Sequence, residues 1–167
     1  LTDRKVWSKA VEDSIGLGKF YENNKEQYMW AERIRAEIYK CTNEDVANEA
    51  KGMLKMKDIA GTEVVSKLNS DKPYNVVVEQ GIYEKGQNTI TDQIVWKMGL
   101  SNNIKDENGR VSFAKVTGLF DPEPKTLDEA KGYVIADYQE FLEKEWIETL
   151  RKKYPVKIND DVLKSLI

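Results

Sequence analysis

Histidine is absent from the 167 residues, and cysteine occurs once, as Cys41. Without an imidazole the chain cannot carry a Ser-His-Asp or Cys-His nucleophile pair, a histidine zinc site or an imidazole general base. A lone cysteine makes no internal disulfide, and at the end of a strand Cys41 reads as a small apolar residue of the core. No apolar run approaches the roughly 20 residues that a membrane-spanning helix needs, so no membrane span is expected. An excess of charge is missing too: 26 Lys and Arg against 29 Asp and Glu leave a net charge of −3, with both signs interspersed. A nucleic-acid footprint gathers basic residues on one face, so no nucleic-acid partner is expected. The one dense basic run, Arg151-Lys152-Lys153, falls where a long helix ends and complements the negative end of its dipole.

What remains is the composition of a folded domain, with 40% apolar and 33% charged residues. A start at Leu1, without an initiator methionine, reads as a piece of a longer chain. Val6, Ala10, Leu17, Phe20, Tyr21 and Tyr28 recur near a helical period, and Asp13 can cap a second helix within that stretch. Ile34, Ala36 and Ile38 alternate with polar neighbours, the period of a strand with one buried face. Asn43 can cap a helix carrying Val46, Ala47, Ala50, Met53 and Leu54, and a short helical turn is expected over residues 62–68. The β-branched run Val76-Val77-Val78 reads as a strand that gives way to a turn across residues 81–86. Asn108-Gly109 predicts a type I′ hairpin between a short strand near residues 102–105 and a longer one over 111–119. Thr126 and Glu129 have the spacing of a capping box, opening a helix that runs to Lys153 with Leu127, Ala130, Val134, Tyr138, Phe141, Leu142, Trp146 and Leu150 on one broad face. Pro155 ends it, an extended stretch follows, and Asn159 can cap a terminal helix.

Most chemical readings of these residues give way to structural ones. The carboxylates Asp137, Glu140, Glu143, Glu145 and Glu148 lack the Glu-x-x-His pair of a di-iron site, and they fit a solvated helix face with Glu140–Lys144 and Glu148–Lys152 pairs. The segment from Gly81 to Gly86 has neither the Lys-Ser/Thr of a phosphate-binding loop nor dinucleotide-binding spacing. No metal site and no cofactor is expected. Four tryptophans and eight tyrosines offer aromatic surface to an interface as well as to a core.

A resemblance enters with longer patterns. Asp13-x-x-x-Leu17-x-x-Phe20-Tyr21-Glu22-x-Asn24-Lys25-x-x-Tyr28, followed by Glu32-Arg33, resembles the helix leading into the first strand of the parvulin domain in PpiC and SurA proteins. Gly81-x-Tyr83-x-x-Gly86 resembles that family's glycine-aromatic turn, and Gly99-Leu100-Ser101 its Gly-x-Ser before the closing hairpin. The run from Pro124 to Gly132 resembles the C-terminal ends of SurA-like chaperones. So does Asp137-Tyr138-Gln139-x-x-Leu142-Glu143-x-x-Trp146-x-x-x-Leu150-Arg151-x-Lys153-Tyr154-x-Val156.

The resemblance implies an α+β fold with a small, mostly antiparallel sheet, flanking helices and a long C-terminal helix. Residues 1–30 would form a helical segment, 31–121 a degenerate parvulin-like core, and 122–167 the long helix and tail, packing as one unit with the rest. Family members carry a histidine in the first strand and another in the last, and here those positions resemble Glu37 and Ser112. Ile90 and Ile94 stand where a Met and a Phe line the family's proline pocket, in a shortened segment. The implied function is a non-catalytic, periplasmic chaperone domain of a SurA-type peptidyl-prolyl isomerase. It would bind unfolded outer-membrane or secreted polypeptides through Tyr83, Ile90, Ile94, Trp96 and Trp146, and would contact other domains of its parent. The alternatives are an isomerase working through Glu37 and Ser112, and a docking or dimerisation module.

Overall fold

The computed structural model describes residues 6–56 and 59–155. The extended stretch and terminal helix expected after Pro155 lie outside the described residues. The class is α+β, with an antiparallel sheet, surrounding helices and a long C-terminal helix, as expected. The chain forms two compact units, one of Trp30–Glu123 and one that combines Leu1–Met29 with Pro124–Ile167. The two-residue strands β1 (Met29–Trp30) and β7 (Glu123–Pro124) mark the passages between them.

The first unit is a sheet with a helical layer. Strands β2 (Arg33–Cys41), β3 (Val76–Glu84), β4 (Gly99–Leu100), β5 (Ile104–Lys105) and β6 (Val111–Phe120) pair antiparallel in the order β3-β2-β6-β4, with β5 also on β6. Tyr39, Cys41, Val76, Val111 and Phe113 meet α3 (Glu44–Leu54) and α4 (Gly61–Leu68) on one face. Asn43 caps α3 as its sequence predicts, accepting from Val46 N–H at 3.0 Å. Ile34, Ala36, Ile38, Ala114 and Val116 point to the other face and gather Ile94 from the segment after the short helix α5 (Thr89–Gln93). Alternation along β2 therefore feeds two cores, one on each side of the sheet.

Two turn expectations need correction. β3 does not end before Gly81 but continues to Glu84, and only Gly86 has the left-handed φ, 86°, of a turn glycine. The ring of Tyr83 covers Gly81, where a Cβ would come within 2.8 Å of it, so this glycine accommodates a close approach within a strand. The hairpin after β5 is not type I′, since Gly109 has φ 78° while Asn108 stays at negative φ. Asp106 organises a three-residue loop instead: its carboxylate accepts from Asn108 N–H at 2.9 Å and Arg110 N–H at 2.8 Å.

The second unit packs α1 (Ser8–Glu12) and α2 (Ser14–Asn24) on α6 (Leu127–Lys153). Asp13 separates the two short helices and caps α2, accepting from Gly16 N–H at 2.8 Å. Thr126 and Glu129 form the predicted capping box of α6. The core joins Val6, Ala10, Leu17, Tyr21 and Tyr28 to Ala130, Val134, Tyr138 and Leu142. Each buried tyrosine keeps a polar partner: Tyr21 Oη donates to the Lys125 carbonyl at 2.6 Å, and Tyr28 Oη donates to Asp137 at 2.7 Å. Burial first, then the bond to Asp137 and its charge, holds the Tyr28 phenol well above the usual tyrosine range. Beyond Leu142, α6 has no buried residue.

Candidate functional site

One end of the sheet unit opens into a cleft of about 460 Å³ on the α5 side. Its floor comes from sheet residues that share a face: Lys40 on β2, Val77 on β3 and Ser112 on β6, with Lys40 the register partner of both Val77 and Ser112. Asn88, Thr89 and Ile90 supply one wall. The Asn88 side chain accepts from Ile90 N–H at 2.9 Å and from Thr91 N–H at 3.3 Å, which fixes the start of α5 and the position of Ile90. Asp106 and Arg110 from the hairpin loop supply another wall, and Tyr74 stands at the rim.

Tyr74 adopts φ 61° and is 80% exposed. It follows Pro73 in a turn closed by Asn75 N–H donating to the Lys72 carbonyl at 3.3 Å. Proline at the second position and positive φ at the third make this a type II turn, in which the third place favours glycine or asparagine. A tyrosine there costs about 1–2 kcal/mol relative to an ordinary backbone conformation, and the aromatic ring gains little burial in return.

The polar groups of the cleft are unevenly engaged. Lys40 is paired with Glu79, and the Asp106 carboxylate is committed to its loop. Among the described residues, the Arg110 guanidinium and the Ser112 hydroxyl carry no hydrogen bond. Ser112 has no base aligned with it, so the cleft offers binding chemistry: an apolar wall from Ile90, Val77 and Tyr74, and one available cation.

The structure does not bring Glu37 to Ser112. In the β2–β6 register Ser112 pairs with Lys40, whereas Glu37 pairs with Lys115 and projects to the face covered by α3 and α4. There its carboxylate accepts from Tyr39 Oη at 2.6 Å and from Gln80 Nε2 at 3.4 Å, with Lys115 Nζ at 4.0 Å. Burial, followed by the bond to Glu37 and its charge, pushes the Tyr39 phenol strongly upward, so Tyr39 remains a donor to Glu37.

Of the candidate binding residues, Ile90 lines the cleft. Ile94 lies in the core, and Tyr83 and Trp96 pack against that core. Trp96 is fixed further by its indole N–H donating to the Thr91 carbonyl at 2.8 Å and by Lys85 Nζ lying 4.4 Å from its ring centre. Trp146 belongs to the helical unit, half-buried beside Leu142. Tyr74, Val77 and Arg110 were not among the sequence candidates. The signal that could have found Tyr74 is Lys72-Pro73-Tyr74-Asn75, a type II turn pattern with an aromatic residue in the glycine position.

No protein-family model and no curated protein matches the chain. Solved structures do. Two come from one study of the virulence factor PEB4 and the periplasmic protein Cj1289, described as SurA-like chaperones of Campylobacter jejuni. The first is 17% identical with a TM-score of 0.45 over 95% of this chain and 66% of the other. The second is 17% identical with a TM-score of 0.31 over 88% and 56%. A peptidylprolyl isomerase (PrsA) from Bacillus anthracis is 19% identical with a TM-score of 0.31 over 87% and 70%. The chain thus spans less than two thirds of the Campylobacter structures it matches.

Proposed function

We propose that this chain is a non-catalytic polypeptide-binding module of a SurA-type periplasmic chaperone, and that the cleft beside Tyr74, Val77 and Ile90 holds segments of unfolded outer-membrane or secreted clients. The observation that carries this reading is the cleft's apolar wall without an aligned acid–base pair. An X-Pro bond resists rotation with a barrier of about 20 kcal/mol, and a catalyst lowers it by holding a twisted amide among oriented polar groups. Ser112 has no aligned base in the cleft, where Lys40 is paired with Glu79 and Asp106 is held by its loop, and Glu37 is tied to Tyr39 on the opposite face. The resemblance of residues 124–156 to SurA-like C-terminal segments supports the assignment of cellular role and compartment. No helix among the described residues is long and apolar enough to cross a membrane.

The test is light scattering of an outer-membrane protein diluted from denaturant, with the chain in excess. The wild-type chain slows aggregation, and Ile90→Asp removes most of the effect without loss of fold. Scattering that is the same with and without the chain overturns the reading. Protease-coupled turnover of an Ala-Pro peptide above background, abolished by Ser112→Ala or Glu37→Ala, overturns its non-catalytic half.

A docking role for the helical unit is a second reading, favoured by one observation. Trp7 and Val11, one turn apart at α1, are 57% and 62% exposed, and Ile15 on α2 is 73% exposed. Exposed apolar side chains of this kind suit contact with another domain of a parent chain. Val11→Asp that leaves binding to a separately supplied parent fragment unchanged removes this reading.

A further inference from the structure

β3 is an outer strand of its sheet, and side chains shield its edge at both ends but not in the middle. At Val76 the Asn69 side chain imitates a neighbouring strand: its Nδ2 donates to the Val76 carbonyl at 2.9 Å and its Oδ1 accepts from Val76 N–H at 2.8 Å. At Glu84 the next turn closes the edge. Glu84 N–H donates to Gln87 Oε1 at 3.0 Å, and Gln87 N–H donates to the Glu84 carbonyl at 3.3 Å. The Asn75 carbonyl, by contrast, is directed at β2 and accepts from Thr42 N–H at 3.1 Å.

Alternation in an antiparallel ladder then directs the N–H and C=O groups of Val78, Gln80 and Ile82 away from β2. Among the described residues none of these groups has a hydrogen-bond partner. This window carries no proline and no lysine, and its one charge, Glu79, is paired with Lys40 of β2, so the usual means of blunting an edge strand are little used. On the α4 side it adjoins a notch of about 270 Å³ formed by Thr62, Val65, Val78 and Gln80. A second hollow of about 290 Å³ lies over the sheet face, from Gln80 and Ile82 across Arg35 and Glu37 to Thr117.

We infer that the β3 edge between Asn69 and Gln87 is a second binding element, which accepts an extended segment of client polypeptide as an added strand. The inference rests on the proposed polypeptide-binding function and assigns it a backbone-reading subsite. The added strand takes its hydrogen bonds from Val78, Gln80 and Ile82, whatever its sequence, and places alternate apolar side chains in the notch beside Val65.

A second copy of the chain fits this edge poorly, because the open window is short, about 17 Å for five residues, less than an interface of 1,200 Å² or more would span. A bare extended peptide needs no more than such a window. It suits transient capture.

The probe is a fluorescein-labelled peptide of alternating valine and threonine, followed by anisotropy with the full chain. Gln80→Pro removes one outward N–H at an edge position where proline is tolerated, and it weakens binding roughly tenfold or more, with the far-UV spectrum and melting curve retained. A peptide N-methylated at every second residue probes the same contact without altering the protein. Methylation in one of the two phases abolishes binding and in the other leaves it intact. Equal binding of both methylated peptides, or unchanged affinity of Gln80→Pro, overturns the inference. So does a concentration-dependent dimer that Gln80→Pro dissolves, since the edge would then belong to a second copy. If the wild-type chain still slows client aggregation in any of these cases, the broader function stands while the edge assignment falls.

Discussion

Tyr39 and Phe113 stack across the β2–β6 pair with ring centres 4.9 Å apart and planes 3° from parallel. Both are fully buried, and the Tyr39 hydroxyl occupies the space where a Cβ on Gly61 would lie, 2.4 Å away. The stacked ring cannot swing clear. Gly61→Ala should therefore destabilise the sheet unit by about 1–3 kcal/mol. Tyr39→Phe removes the obstructing oxygen and should recover part of that loss in a double-mutant cycle measured by denaturant unfolding. Additive costs would show that the contact is not what makes glycine necessary.

At the cleft rim, stability and binding should move in opposite directions. Tyr74→Asn keeps the type II turn with a residue that tolerates positive φ, and should raise unfolding stability by several tenths of a kcal/mol to about 1 kcal/mol. The same substitution removes an exposed ring and should weaken client retention in the scattering assay. A stability gain with undiminished retention would remove Tyr74 from the binding surface.

Trp146 anchors the second half of α6 from a half-buried position. Trp146→Ala should cost about 1–2 kcal/mol, below the 3–5 kcal/mol of a fully buried tryptophan. Urea midpoints of the two proteins decide it. An unchanged midpoint would mean that the indole contributes to an interface rather than to the fold.

Cys41 gives the molecule an alkaline limit. Burial pushes its thiol up from 9.0 to about 11, with the Lys51 charge acting weakly in the opposite direction. An unfolded chain ionises this thiol first and so binds fewer protons than the folded one between those values. The stability that this protonated thiol contributes is complete below about pH 9 and is lost as pH rises toward about 11. Tyr28 and Tyr39, raised by burial, extend the decline, while the partly buried Lys51 ammonium, shifted down, opposes it. Cys41→Ala should flatten the part of the stability-pH curve nearest pH 9 to 11, read from urea midpoints. An unaltered slope would refute this.

Local chemistry made much of the fold legible. Asn43 and the Thr126–Glu129 box cap helices where their spacing places them, and the alternation of Ile34, Ala36 and Ile38 marks a strand. Each of these signals is contained within a few residues. The relation between Glu37 and Ser112 is not, because it depends on whether Lys40 or a neighbour stands opposite Ser112, and a shift of one residue exchanges the faces. The cleft was hidden for the same reason. Tyr74, Ile90 and Arg110 come from a turn, a helix start and a hairpin loop that only the folded sheet assembles. At Asn108-Gly109 the dipeptide gave the hairpin but not its type, which Asp106 decides from outside the pair.

The discontinuous make-up of the helical unit bears on the order of events during synthesis. Its polar links join residues far apart along the chain: Tyr21 to Lys125 across 104 positions, Tyr28 to Asp137 across 109, and Tyr138 to Asp13 across 125. The sheet unit, by contrast, is one uninterrupted stretch. Emerging from a ribosome, α1 and α2 must wait without α6 while the whole intervening segment is made, and that segment can collapse on itself first. Closing so long a loop carries an entropic toll that compaction of the intervening chain reduces. The helical unit is therefore the late-maturing part of the molecule, and its apolar helices are the surface on which a nascent chain would first need a guardian of its own.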